Sequence, residues 1–374
     1  MPSSRPRVVL LRGHNANVWD LRPLERLEDE FELSALVTGS NLHRLDGLAL
    51  PTVGVGSPRD KLPAGRAAGA AAYALGERYL GHEEHLRGAA IVHAAEIGTW
   101  FSAQAARLKA KLGFRLVLTV WETIPWRGAY RWPRERRYRE AILPAADLLL
   151  ATTGRARDAL LLEGVPAERI VVSPPGVELD RFAAATGAPQ DPPLLLSAGR
   201  LVWEKGHQDA LRALAALHRG IGGPARPDVR MLVLGDGPEA GKLRRYAADL
   251  GVDGAVEFRP TVPYDEMPAL YRSATSLVLG SLPTRGWEEQ FGMVLVEAMA
   301  SGTPVVAADS GAIPEVLGSY GALVRPGDWM AMAGALRAGP LGGARPAPDP
   351  AVLARFSAAA LAERTRGAYR SLVD

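Results

Sequence analysis

A chain of 374 residues exceeds the usual size of one domain, so two are expected, and its 47% apolar and 23% charged residues describe a globular chain with enough apolar mass for two cores. A net charge of +3 is too weak to argue for nucleic acid, and the absence of cysteine excludes disulfides, zinc thiolates and cysteine nucleophiles. No stretch approaches the ~20 apolar residues that span a bilayer, and MPSSRPRVVLLRG runs straight into a strand without a secretory signal, so a cytoplasmic protein is expected, at most peripheral at a membrane.

In chain order, short β-branched runs alternate with helical patterns. Strands are predicted at 7–11, 33–37, 89–94, 115–121, 147–153 and 169–174, with helical stretches at 18–30, 100–112 and 134–145 between them. The rhythm breaks over 175–193, where PPGVELDRF is followed by ATGAPQDPP, and a linker is expected at 178–192. It restarts with strands at 193–201, 230–237, 255–260, 275–281, 303–309 and 320–326, and helices at 207–218 and 239–250. A second Gly/Pro-rich segment, 338–350, precedes a last helix near 356–372. Strands spaced by helices predict βαβ units and parallel sheets. The expected architecture is α/β, with two Rossmann-like doubly wound domains at 1–177 and 193–345 facing across a cleft. Residues 346–374 are expected to return as a helix to the first domain.

Doubly wound sheets bind ligands beyond the carboxyl ends of their strands. One such end reads SAGRLVWEKG, which puts Arg200 and Lys205 five residues apart just before a helix. A guanidinium fork and a point charge there suit a diphosphate, although a solvated loop carries the same residues. The next strand ends in Gly235-Asp236-Gly237, where glycine permits close backbone approach or simply a tight turn. The richest segment is 283–316. Residues 290–300 read as a helix whose first amides can hold an anion. Glu289 lies at its start, where a carboxylate is often only a cap. Glu297 interrupts the apolar run MVLVEAMA, and a buried carboxylate needs hydrogen-bond donors, which two ribose hydroxyls would supply.

The spacing Glu289–Glu297, the continuation AMASGTPVV, the loop GRLVWEKG, the turn LGDGP and the ending FSAAALAERTRGAYR resemble the family 4 retaining glycosyltransferases, which have the two-Rossmann GT-B fold. The resemblance implies a retaining, metal-independent transferase that moves a hexose-type sugar from a nucleotide-diphosphate sugar to a hydroxyl acceptor. The first domain would be the acceptor side and the second would bind the nucleotide sugar. Glu297 would hold the donor ribose, and Glu289 the transferred sugar. The backbone at Phe291 and Gly292 would meet sugar and phosphate, Arg200 and Lys205 the diphosphate, and Arg259 with Pro260 the base. Gly13 of LRGHNAN would be the phosphate-proximal glycine, without the family's usual second one. No cofactor beyond the co-substrate is implied. The acceptor hydroxyl would attack the face the diphosphate leaves, whose oxygen takes the proton.

Three residues are expected on the acceptor side. His93 of IVHAAE ends a strand, and serves either a ligand or the core. Trp121 stands where the family often has histidine, and cannot exchange a proton near neutral pH. Glu122 follows it and can accept from hydroxyls. His82 and His85 share a helix face without further ligands, so no metal is expected, and no Asp-x-Asp occurs. Residues 126–139, WRGAYRWPRERRYR, hold six arginines and four aromatics, a run suited to an anionic lipid or acceptor, or to plain solvation. Two alternatives stay open: an epimerase or hydrolase of nucleotide sugars on the same architecture, and a non-catalytic nucleotide-sugar-binding partner.

Overall fold

The computed structural model describes residues 5–62, 71, 74, 77–130, 132–182 and 191–373. It divides into two compact units, 1–176 with 357–374, and 177–356. Unit 1 holds β1 (Arg7–Leu11), β2 (Glu32–Thr38), β3 (Thr52–Val55), β4 (Ile91–Ala95), β5 (Arg115–Val120), β6 (Leu148–Ala151) and β7 (Ile170–Val172). Their order is β3-β2-β1-β4-β5-β6-β7, and every pairing is parallel. Unit 2 holds β8 (Leu194–Ala198), β9 (Arg230–Leu234), β10 (Val256–Arg259), β11 (Ser276–Leu279), β12 (Val305–Ala308) and β13 (Ala322–Val324), in the parallel order β10-β9-β8-β11-β12-β13. Both are doubly wound Rossmann-like sheets. The chain reverses direction across β1/β4 in one and β8/β11 in the other, which are their switch points.

The strand sequences are apolar runs because helices cover both faces of such a sheet. In unit 1, Val9, Leu11, Val92 and Leu118 face one core, and Val8, Leu10, Ile91 and Val117 the other. In unit 2, Met231, Val233 and Val278 pack under the His207–His218 and Trp329–Ala338 helices.

Several boundaries differ from the expectations. β3 forms where the sequence pattern predicts no strand. The expected helix at 18–30 is a single turn, Val18–Leu21, followed by a 3-10 segment with Pro23 near its start, since proline cannot donate to a continuing helix. Within the expected linker, residues 183–190 lie outside the described ones. Leu179–Phe182 is no linker but a 3-10 turn of unit 2, because Phe182 is fully buried with its ring 5.4 Å from that of Tyr264 and 5.9 Å from that of Tyr271. Residues 346–356 also group with unit 2. There the Phe356 ring lies edge-on to Phe291 at 5.6 Å, and its carbonyl accepts the Val177 amide at 2.7 Å. The final helix, Ala358–Val373, belongs to unit 1. Tyr369 is buried edge-on to Phe31 at 5.3 Å, and Arg366 reaches Asp29 at 2.9 Å and Glu30 at 3.0 Å.

Candidate functional site

In unit 2 the chemistry gathers at the carboxyl ends of β8 and β11. The ends of β8, β9 and β10 are tied backbone to backbone. The Gly199 amide donates to the Leu234 carbonyl at 3.0 Å, and the Gly235 amide to the Arg259 carbonyl at 3.0 Å. A Cβ on Gly235 would lie 2.0 Å from the Gly199 oxygen, so no other residue fits. The loop after β8 makes a 3-10 turn, Trp203–Lys205, and ends on Gly206 at φ 69°. A Cβ at Gly206 would sit 1.9 Å from the Gly280 oxygen, so glycine lets this loop lie flat against the end of β11.

That packing delivers Lys205 to Glu289. The ammonium is 2.9 and 2.8 Å from the two carboxylate oxygens, and the Ser281 hydroxyl donates to one of them at 2.7 Å. Both side chains are largely buried, and the Lys205 charge also lies 5.0 Å from the Trp287 ring centroid. The Glu289 carbonyl accepts the Ala312 amide at 2.8 Å, which fixes this residue from both ends.

Arg200 does not join that cluster: its side chain is exposed. Its carbonyl is held instead. His207 donates to it from Nε2 at 3.1 Å and accepts the Ser197 hydroxyl on Nδ1 at 2.8 Å. Burial lowers the His207 pKa to about 4, so the imidazole is neutral and acts as a fixed strut.

Glu297 sits on the Met293–Ala300 helix, which starts three residues later than expected because Gly292 adopts φ 81°. Phe291, ahead of it, is buried against Phe356. A buried carboxylate needs donors, and in sequence ribose hydroxyls are the donors expected for Glu297. The structure supplies them internally. Tyr264 donates to one oxygen at 2.8 Å and Tyr271 to the other at 2.7 Å. Burial pushes the carboxyl above its usual value, and the two hydroxyls offset part of that. Each carboxylate oxygen keeps a further lone pair for a ligand. Arg259 turns its side chain to Glu257 at 2.7 Å, while the neighbouring Thr261 amide donates to Asp236 at 2.9 Å.

In unit 1, Gly13 follows β1 at φ 59°, but its amide already donates to the Tyr79 hydroxyl at 2.8 Å. His93 is a core residue. It is 1% exposed, with Nδ1 2.7 Å from the Tyr369 hydroxyl and Nε2 2.8 Å from that of Thr119, and burial drives its pKa well below the usual value. Trp121 is half-buried and donates its amide to Glu96 at 2.9 Å. Glu122 is buried, accepts the Ile124 amide at 3.0 Å and pairs with Arg127 at 2.8 Å. Among the described residues no group of three or more His, Asp or Glu stands ready for a metal. In 126–139, Arg131 lies outside the described residues. Tyr130 is 90% exposed, Trp132 54% and Trp126 41%, whereas Arg139 is buried 3.3 Å from Glu163.

Sequence reading missed Ser281, His207, Tyr264, Tyr271 and Glu96. His207 follows Lys205-Gly206 directly and was legible as part of that loop. The two tyrosines belong to a segment between β10 and β11 that carried no motif.

Two family models match. Glycosyltransferase Family 4 covers residues 12–181, and Glycosyl transferases group 1 covers 180–338. The D-inositol 3-phosphate glycosyltransferase 1 of Catenulispora acidiphila is 32% identical over 357 residues, 88% of this chain and 79% of that protein. The D-inositol 3-phosphate glycosyltransferase of Streptomyces avermitilis is 36% identical over 241 residues, 59% of this chain, and this chain spans about half of that relative's length, 48%. The solved structure of Anabaena HepE in complex with UDP aligns with a TM-score of 0.76 at 18% identity, covering 98% of this chain and all of that one, a likeness of fold.

Proposed function

The chain belongs to glycosyltransferase family 4, and from that premise we propose that it moves a hexose-type sugar from a nucleotide-diphosphate donor to a hydroxyl acceptor, with retention and without a metal ion. The observation that carries this reading is the Lys205–Glu289–Ser281 cluster at the switch point of unit 2, with Glu297 on the adjoining helix. Lys205 and Arg200 neutralise the leaving diphosphate, and Glu289 orients hydroxyls of the transferred sugar. Glu297 accepts from the donor ribose, with Phe291, Gly292, Gly235 and Arg259 around the nucleotide. Trp121 and Glu122 shape the acceptor side. The acceptor hydroxyl attacks the anomeric carbon on the face that the diphosphate leaves, and its proton passes to a diphosphate oxygen. Orientation and charge stabilisation are the protein's contribution.

The test is a panel of UDP-, GDP- and ADP-sugars with hydroxyl acceptors, inositol phosphates among them since the relatives are named for one, run in excess chelator. Early NMR of the product is expected to show the donor's own anomeric configuration. An inverted product, or turnover that returns only with magnesium or manganese, rejects the proposal. Rapid donor consumption without acceptor assigns the chain to the epimerase or hydrolase alternative.

Among the described residues no helix is long and apolar enough to cross a membrane. Trp126, Tyr130 and Trp132 are exposed beside Arg136 and Arg137, and this patch is proposed to meet an anionic bilayer. The chain is expected to sediment with phosphatidylglycerol vesicles at low salt and to stay in solution with phosphatidylcholine alone. Equal partitioning to both, or to neither, removes the patch from the account.

A further inference from the structure

Glu96 directly follows β4, the strand beside β1 at the switch point of unit 1. Its backbone lies at φ 66°, a region that side-chain-bearing residues occupy only where their surroundings enforce it. Two hydrogen bonds do so: its amide donates to the Thr119 carbonyl at 2.8 Å, and its carboxylate accepts the Trp121 amide at 2.9 Å. The second residue of this kind among the described ones is Trp126, at φ 57°, whose amide donates to Glu163 at 2.7 Å. The turn 121–127 is therefore hung from carboxylates at both ends, with Glu122 paired to Arg127 inside it.

We propose that Glu96 is a positioning residue: its carboxylate sets the conformation of the turn 121–127, and through Trp121 and Glu122 it makes acceptor recognition depend on its own protonation. This rests on the proposed glycosyl transfer, with Trp121 and Glu122 on the acceptor side.

The surroundings make that protonation accessible near neutrality. Burial pushes the Glu96 carboxyl up to about 7, and the like charge of Glu122 adds to the rise. The Trp121 amide, then Arg139 of the Pro133–Ala145 helix and Arg127 of the turn itself, oppose it. Arg139 reaches this corner, since a Cβ on Gly98 would lie 3.6 Å from its guanidinium, and its own ion-pair partner is Glu163. Above about 7 the ionised carboxylate grips the Trp121 amide through a charge-assisted bond. Below it the neutral acid accepts more weakly, and the turn loosens.

The experiment measures acceptor and donor KM from pH 6 to 8, together with hydrogen exchange of the 119–127 backbone corrected for its intrinsic pH dependence. In the parent, acceptor KM is expected to rise roughly three- to tenfold as pH falls through 7, in step with faster exchange, while donor KM stays level. Glu96→Gln is expected to flatten both acceptor KM and exchange near the parent's low-pH values. Glu96→Gly, which removes the carboxyl at a backbone conformation that glycine adopts freely, is the second variant and is expected to give the same flat pH profile. A parent without any pH response of acceptor KM, or a Glu96→Gln variant that keeps the parent's response, overturns the proposal. A chain that turns over no donor rejects glycosyl transfer and the acceptor half of the inference, while the exchange data still decide whether Glu96 holds the turn.

Discussion

Lys205→Ala is expected to lower kcat/KM roughly a hundredfold or more, the scale of losing one major charge-stabilising group in a transition state. The reason is its position. Lys205 is the cation that the β8 exit loop carries to the buried end of β11, and it already faces the carboxylate of Glu289 at 2.8 Å. In the proposed reaction the departing diphosphate gains charge as the bond breaks, so the loss falls on kcat as well as on donor KM. Removing the ammonium also strands Glu289, 5% exposed, with Ser281 as its remaining side-chain donor among the described contacts. Breaking a buried pair from one side costs about 3–5 kcal/mol. Activity must therefore be normalised to the folded fraction from a thermal melt at the assay temperature. Arg200→Ala supplies the control that stability cannot confound. Its side chain is exposed, and the contact with His207 is made by its carbonyl, which the substitution keeps. An unchanged melt with reduced kcat/KM is expected there. Lys205→Ala activity within twofold of the parent, per folded molecule, removes Lys205 from the diphosphate.

What the sequence made legible, and what it hid, follows from range. Buried parallel strands are locally apolar on both faces, so AAIVHA and DLLLATT announce β4 and β6 without reference to their neighbours. β3, TVGV, lies at the sheet edge with a glycine and only partial burial, so its strand character comes from its register with β2. Lys205, Glu289 and Glu297 were legible because each puts a charge where the local pattern is apolar or glycine-bound. Their partners were not. Tyr264 and Tyr271 meet Glu297 across 33 and 26 residues, and Ser281 reads as an ordinary strand exit. His93 was ambiguous in sequence because its partner, Tyr369, is 276 residues away on the last helix. Glu96 was invisible for a different reason: its backbone conformation, not its neighbours in sequence, sets it apart.

Glu297→Gln is expected to weaken nucleotide-diphosphate binding roughly ten- to a hundredfold while leaving the fold intact or slightly firmer. The two halves have separate causes. Ribose hydroxyls donating to a carboxylate make charge-assisted bonds worth about 1.5–3 kcal/mol, and an amide offers one oxygen acceptor where the carboxylate offers two. Stability runs the other way. The Glu297 carboxyl is raised above its ordinary 4.5 because burial disfavours the charge. Folding therefore takes up protons at this site, and its contribution to stability falls as pH rises from 4.5 through the raised value. Glutamine carries no charge to bury, so the parent's disadvantage against the variant is expected at pH 8 and to shrink toward pH 4. Tyr271→Phe behaves oppositely, because it strips a buried oxygen of its donor and costs about 1–3 kcal/mol. Calorimetric titration with UDP, GDP and ADP, followed by melts of parent and variant across that pH range, measures both halves. If Glu297→Gln binds the preferred nucleotide within twofold of the parent, Glu297 serves only its two tyrosines and the ribose is held elsewhere.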